Sequence, residues 1–133
     1  MDGAKVLLDT SIVIEILRNN QAIAQSIVNI GWGNCCISEI TVVELLYGAE
    51  CSKNAEQNIK TVKSIIKSFK VIPFKKCIKH FCKEKARLKD IGKMIDDNDL
   101  YIGTTAVSLG IKAFTLNKKH FERIKDLDLY PIP

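Results

Sequence analysis

Proline is nearly missing from this chain until its end: Pro73 is the one internal example, and Pro131 and Pro133 fall in the last three positions. Glycine is sparse as well, at seven residues, and the two together form no linker or low-complexity tract. With 47% apolar residues, this composition excludes a disordered chain and describes one domain spanning residues 1–133. Long hydrophobic runs are also missing. The longest uncharged stretch, Asn19 to Ser38, is interrupted by Asn, Gln, Ser and Gly, which excludes a membrane-spanning helix. Met1 to Lys5 lacks the basic-then-apolar build of a signal peptide, so a cytoplasmic location is expected. No Cys-x-x-Cys pair occurs among the five cysteines, an odd number that favours reduced thiols acting as small buried hydrophobes. Cys77, His80 and Cys82 offer zinc-ligating side chains, but at a spacing unlike a zinc finger or ribbon.

Charge is present in quantity and unevenly spread. Between Lys53 and Lys93 there are thirteen Lys/Arg against three acids, a local balance of +10, while the remainder balances at −5. Such a segment is either a pair of solvated helix faces or a surface that meets phosphates. Aromatics are scarce within it, so a nucleic-acid contact there would follow the backbone rather than read bases.

Strand-like and helix-like segments alternate. Lys5 to Leu8 reads as a buried strand, followed by Asp9-Thr10-Ser11 and a helix capped by Thr10 or Ser11. Apolar spacing predicts a second helix over 21–30, and Cys35 to Ser38 forms a second strand whose Ser38 caps a helix to about Glu50. A fourth helix covers 54–69, and Val71 to Phe74 is an edge or end strand because of Pro73. Residues 75–91 form a helix with Ile78, Phe81, Ala86, Leu88 and Ile91 on its apolar face. After a further helix ending at Gly110, Lys112 to Leu116 is a strand, 118–125 a last helix and 127–130 an edge strand. The alternation predicts an α/β fold with a parallel sheet covered on both sides.

The acids stand in unusual places. Asp96, Asp97 and Asp99 crowd the start of one helix, where one cap would suffice, and like charges so close repel unless solvent or a cation intervenes. Asp9 follows the first strand, Asn117 the last, and Glu44 lies at the rim of a mostly apolar helix. In a parallel sheet the carboxyl ends of the strands share one edge, so these residues can converge on a cleft. Carboxylates gathered there suit a hard divalent cation, and a cation near basic surface suits phosphodiester chemistry. Helix caps alone remain an alternative for Asp9 and Asp97.

At these residues the chain resembles PIN-domain nucleases, and among them the VapC-type toxins of toxin–antitoxin pairs. The motifs are Val6-Leu-Leu-Asp9-Thr-Ser, Thr41-Val-Val-Glu44-Leu-Leu-Tyr-Gly48, Asp99-Leu-Tyr-Ile-Gly-Thr-Thr-Ala106 and Thr115-Leu-Asn117 with Phe121 beyond. The resemblance implies a PIN-like three-layer fold and a Mg²⁺- or Mn²⁺-dependent endoribonuclease, homodimeric and restrained by a cognate antitoxin. It implies Asp9 and Asp99 as direct metal ligands and Glu44 as the third acid, orienting the attacking water. Thr10 and Ser11 would support the site by hydrogen bonding, with Asp96 as an outer candidate and Asp97 as a helix cap. Asn117 matches a fourth position where the family carries Asp or Asn. With Asn there the site has one charge fewer, so an alternative is a catalytically weak RNA-binding or assembly module. Many members carry an acid where this chain has His120, and no role is assigned to it. Ile12, Ile16, Leu45, Leu46 and Tyr47 are candidates for a dimer face, an antitoxin groove or simple core.

Overall fold

The computed structural model describes residues 3–133. Its framework is a four-stranded, wholly parallel sheet of β1 (Val6–Leu8), β2 (Cys35–Ser38), β3 (Lys70–Ile72) and β4 (Lys112–Phe114), in the order β3-β2-β1-β4. The central strands have no polar side because both faces are covered. Alternation along each strand sends Val6, Leu8, Cys35, Ile37 and Phe114 into one core and Leu7, Cys36 and Ala113 into the other. Helices α1 (Thr10–Leu17), α2 (Gln21–Ile30), α3 (Glu39–Glu50) and α4 (Ala55–Ile66) build the first core. Helices α5 (Ile78–Asp90), α6 (Asp97–Leu109) and the single turn α7 (Lys118–Phe121) build the second. The expected three-layer α/β arrangement is therefore present. No helix among the described residues is long and apolar enough to cross a membrane.

Local chemistry explains most boundaries. Ser38 accepts a hydrogen bond from the Ile40 N–H and starts α3, as expected. Gly110, at φ 67°, closes α6 in the left-handed conformation that favours glycine. β3 is an edge strand ending just before Pro73, which has no N–H to offer a ladder.

Several expectations need correction. Asp9, ahead of Thr10, holds the N-cap position of α1, but its side chain makes no cap hydrogen bond there and takes the Ser11 and Thr115 hydroxyls instead. Asp96, not Asp97, caps α6 by accepting from the Asn98 N–H; Asp97 is paired with Lys85 at 3.0 Å. The last helix is one turn long, and the segment at 127–130 contributes one bridge, Ala113 to Leu129, rather than a strand. Ile12 and Leu45 belong to the core, Ile16 and Leu46 pack against it, and Tyr47 stands 70% exposed. Cys35, Cys36 and Cys77 are buried, and burial pushes the Cys35 thiol up to about 11 and Cys36 to about 12. Cys51 and Cys82 are exposed instead. The basic segment is divided between layers, with α4 packed in the first core and α5 in the second.

The apolar stripe of α5 is also rotated from the expected one. Cys77, Phe81 and Leu88 face inward, while Ile78, Ala86 and Ile91 are exposed. Glu84 occupies the same inner stripe and is only 5% exposed. Arg87 clasps it through Nε at 2.8 Å and Nη2 at 2.7 Å, and the Lys125 N–H donates to it at 2.7 Å. Arg87 also donates to the Arg123 carbonyl at 2.8 Å, so the chain beyond α7 is tied to α5. From the other side, a Cβ at Gly103 of α6 would collide with the Ile124 side chain, so glycine permits this close approach. These contacts fix α7 beside the start of α6.

Candidate active site

Sheet order decides which residues meet. β1 lies between β2 and β4, and the register pairs Leu8 with Phe114, so Asp9 emerges beside Thr115. The Asp9 N–H donates to the Phe114 carbonyl at 2.9 Å, extending the ladder by one bond. Thr115 Oγ1 and Ser11 Oγ donate to the same Asp9 oxygen, at 2.7 and 2.8 Å. Each hydroxyl in turn accepts from the backbone after β4, Thr115 from the Asn117 N–H at 2.9 Å and Ser11 from the Leu116 N–H at 3.1 Å. The turn between β4 and α7 is thereby hung on Asp9. The fold thus brings Ser11 onto Asp9, and with it Thr115, which the sequence motif names without a role.

The second arm comes from α3. Glu44, half-buried, lies 2.6 Å from Thr10 Oγ1, which is also 2.9 Å from the fully buried Thr41 hydroxyl. Asn98 of α6 donates to the other Glu44 oxygen at 3.3 Å. Glu44 therefore turns toward the start of α6, the cleft side of its helix rim. The fold thus brings Thr10 against Glu44, together with Thr41 and Asn98, and the sequence alone does not distinguish Asn98 from the three aspartates around it.

The third arm is Asp99 in the first turn of α6. Asn117 Nδ2 and His120 Nδ1 both lie 2.8 Å from Asp99 Oδ2. Asn117 thus joins the site, and so does His120. Asp96 does not join these contacts, being engaged in its helix cap.

Asp9 is 4% exposed, and burial pushes its carboxyl above the ordinary value. The Thr115 and Ser11 hydroxyls pull it back, and the charge of Asp99 pushes it up again. Asp9 and Asp99 are therefore close enough to repel. Among the described residues no three His, Cys, Asp or Glu groups close into a ready cage, and Cys77, His80 and Cys82 form no zinc site. A hard divalent cation does not need such a cage, since Mg²⁺ takes one or two carboxylates and keeps several waters. Two mutually repelling carboxylates with no guanidinium or ammonium among their described partners fit an ion of that kind, and Glu44 faces the same cleft.

Known proteins match this chain along nearly its whole length. The PIN domain family model matches residues 6–127. The chain is 36% identical over 121 residues to Ribonuclease VapC2 of Haemophilus influenzae, covering 90% of this chain and 92% of that one. It is 32% identical over 124 residues to the tRNA(fMet)-specific endonuclease VapC of Shigella flexneri, covering 92% and 94%. Among solved structures, a chain of the DNA-bound VapBC complex from Salmonella typhimurium superposes with a TM-score of 0.89 at 30% identity, covering 96% of this chain and 97% of that one. The fold is shared with these proteins over nearly the whole chain, and the chain belongs to the PIN domain family, in its VapC branch.

Proposed function

We propose that this chain is the ribonuclease toxin of a toxin–antitoxin pair, hydrolysing RNA phosphodiester bonds at the cleft of Asp9, Glu44, Asp99 and Asn117. The observation that carries the reading is the pairing of Asp9 with Asp99 across the carboxyl edge of the sheet, with no basic side chain on Asp9 among the described residues. Mg²⁺ or Mn²⁺ held by Asp9 and Asp99 would supply charge neutralisation at the phosphate and an acidified water. The protein's own part is orientation. Ser11 and Thr115 fix the Asp9 carboxylate, while Thr10 and Asn98 hold Glu44 where it can accept a proton from the attacking water. Asn117 and His120 both stand against the same Asp99 oxygen.

Transfer RNA is the first substrate to test, because relatives in Shigella and Salmonella are named tRNA(fMet)-specific endonucleases. A cognate antitoxin partner is supported by the solved VapBC complexes that share this fold. We read the toxin as a homodimer, with Val43 and Tyr47, 57% and 70% exposed on α3, as surface for a second copy; sedimentation at micromolar concentration checks this. The direct test of activity is cleavage of initiator tRNA with Mg²⁺ or Mn²⁺ by the wild type and by Asp9→Asn. Cleavage abolished by chelation and by the substitution supports the reading. Binding of RNA without cleavage would favour the assembly module, and equal cleavage by Asp9→Asn would place the chemistry elsewhere.

A further inference from the structure

His120 makes a contact that hydrogen bonding does not account for. Asp99 Oδ2, Asn117 Nδ2 and His120 Nδ1 stand at the corners of a triangle whose three edges are each 2.8 Å. An imidazole Nδ1 either donates or accepts. Accepting from the Asn117 amide leaves its lone pair against the Asp99 oxygen with no proton between them. Donating to Asp99 sets its N–H against the N–H of the amide. Turning the amide over, an assignment that rests on hydrogen bonding alone, sets amide oxygen against carboxylate oxygen. Each of these arrangements around a carboxylate leaves one edge repulsive.

A cation removes the conflict. With the Asn117 amide turned over, a carboxylate oxygen, an amide oxygen and an imidazole nitrogen direct lone pairs to a common point. An octahedral ion with ligands at 2.0–2.1 Å spaces adjacent ligands by about 2.8–3.0 Å, which is the edge length of this triangle. The corners are held from outside the triangle. Asn117, the residue that precedes α7, and His120 within it are three positions apart, the fully buried Phe121 anchors that turn, and Thr115 holds the Asn117 N–H.

We infer that His120 is a nitrogen ligand of the cation at this cleft, through Nδ1 beside Asp99 Oδ2 and the Asn117 amide oxygen, and that it biases the site toward Mn²⁺ over Mg²⁺. The inference rests on the cation-dependent reading above and deepens it. Mg²⁺ takes oxygen ligands, whereas imidazole suits transition ions. A neutral nitrogen donor adds a ligand to the site without restoring the charge that an aspartate at position 117 would have brought.

The test binds Mn²⁺ to the full chain labelled with ¹⁵N-histidine and reads imidazole coupling by electron spin-echo envelope modulation. Calorimetry gives Mn²⁺ and Mg²⁺ affinities for the wild type, His120→Gln and Asp99→Asn, each checked by circular dichroism. Imidazole-nitrogen modulation is expected in the wild type and lost in His120→Gln, with Mn²⁺ affinity falling by about tenfold or more and Mg²⁺ affinity by about threefold at most. Mn²⁺ bound by the wild type without imidazole modulation overturns the inference, and this arm needs no variant to fold. Equal Mn²⁺ affinity in a folded His120→Gln overturns it too. Either result leaves cation-dependent cleavage standing if Asp99→Asn still loses Mn²⁺. Absence of Mn²⁺ binding in the wild type overturns both.

Discussion

Asp9 and Glu84 are almost equally buried, at 4% and 5% exposure, and the fold treats them in opposite ways. Glu84 receives two guanidinium N–H groups from Arg87 and one backbone N–H from Lys125, and Arg87 foremost holds its carboxyl below the ordinary value. Asp9 receives hydroxyls from Thr115 and Ser11, and burial with the nearby Asp99 charge holds its carboxyl above the ordinary value. A carboxylate that only ties helices together is supplied with its own cation. One that lacks a cation, at the carboxyl edge of a parallel sheet, is available to bind one. Burial alone would not have separated the two roles; the partners do.

The comparison is broken most severely by neutralising the site. Asp9→Asn and Asp99→Asn are each expected to lower RNA cleavage by about 10³-fold or more. Asp9→Asn should leave the urea midpoint unchanged or raised, because the substitution removes a charge that folding holds at a cost. Cleavage within tenfold of wild type, or collapse of the fold, would erase the distinction between the two carboxylates.

Glu84→Gln should do the reverse, destabilising by about 2 kcal/mol, less than a fully buried pair because Arg87 keeps part of its solvation. The pH dependence has the corresponding sign. With its folded pKa below the unfolded value, Glu84 contributes stability that is fully present above the ordinary carboxylate pKa of 4.5 and is lost as pH falls through the folded value. For Asp9 the charged form is disfavoured, so its penalty is present near neutrality and is relieved as pH falls through a folded pKa above 3.8. Urea midpoints of wild type, Glu84→Gln and Asp9→Asn from pH 7 to pH 3 resolve the two: the Glu84→Gln deficit shrinks with acid, and any gain in Asp9→Asn shrinks as well. Constant differences across that range would contradict both assignments.

A smaller change sharpens the comparison within the site itself. Thr115→Val removes one of the two hydroxyls on Asp9 and the anchor of the Asn117 N–H. It should cost about 1 kcal/mol of stability and about tenfold in cleavage, measured as initial rates at saturating cation. A rate equal to wild type would mean the Thr115 hydroxyl does not orient the site.

Much of the fold was legible because local chemistry carries it. The break at Asp9, the Ser38 cap, the edge position of the strand before Pro73 and the parallel order follow from residues within a few positions of one another. What was not legible depends on distant partners. Nothing near Asp9 in sequence announces that its carboxylate turns to Thr115, 106 residues away, instead of capping α1. Asp96 and Asp97 compete for one cap, and the outcome depends on Lys85 twelve residues earlier drawing Asp97 aside. Glu84 could have been noticed, since it stands three residues after Phe81 and four before Leu88, within the inward stripe of α5. His120 departs from the family pattern, so the sequence assigns it no role, yet it shares the Asp99 oxygen with Asn117.

Calorimetric titration of Mn²⁺ into the wild type, Asp99→Asn and Glu84→Gln tests the central contrast most directly, with folding checked by circular dichroism. Binding in the wild type and in Glu84→Gln, lost in folded Asp99→Asn, is the predicted result. Equal binding by wild type and Asp99→Asn would contradict it, and would remove the cation from the cleft between Asp9 and Asp99.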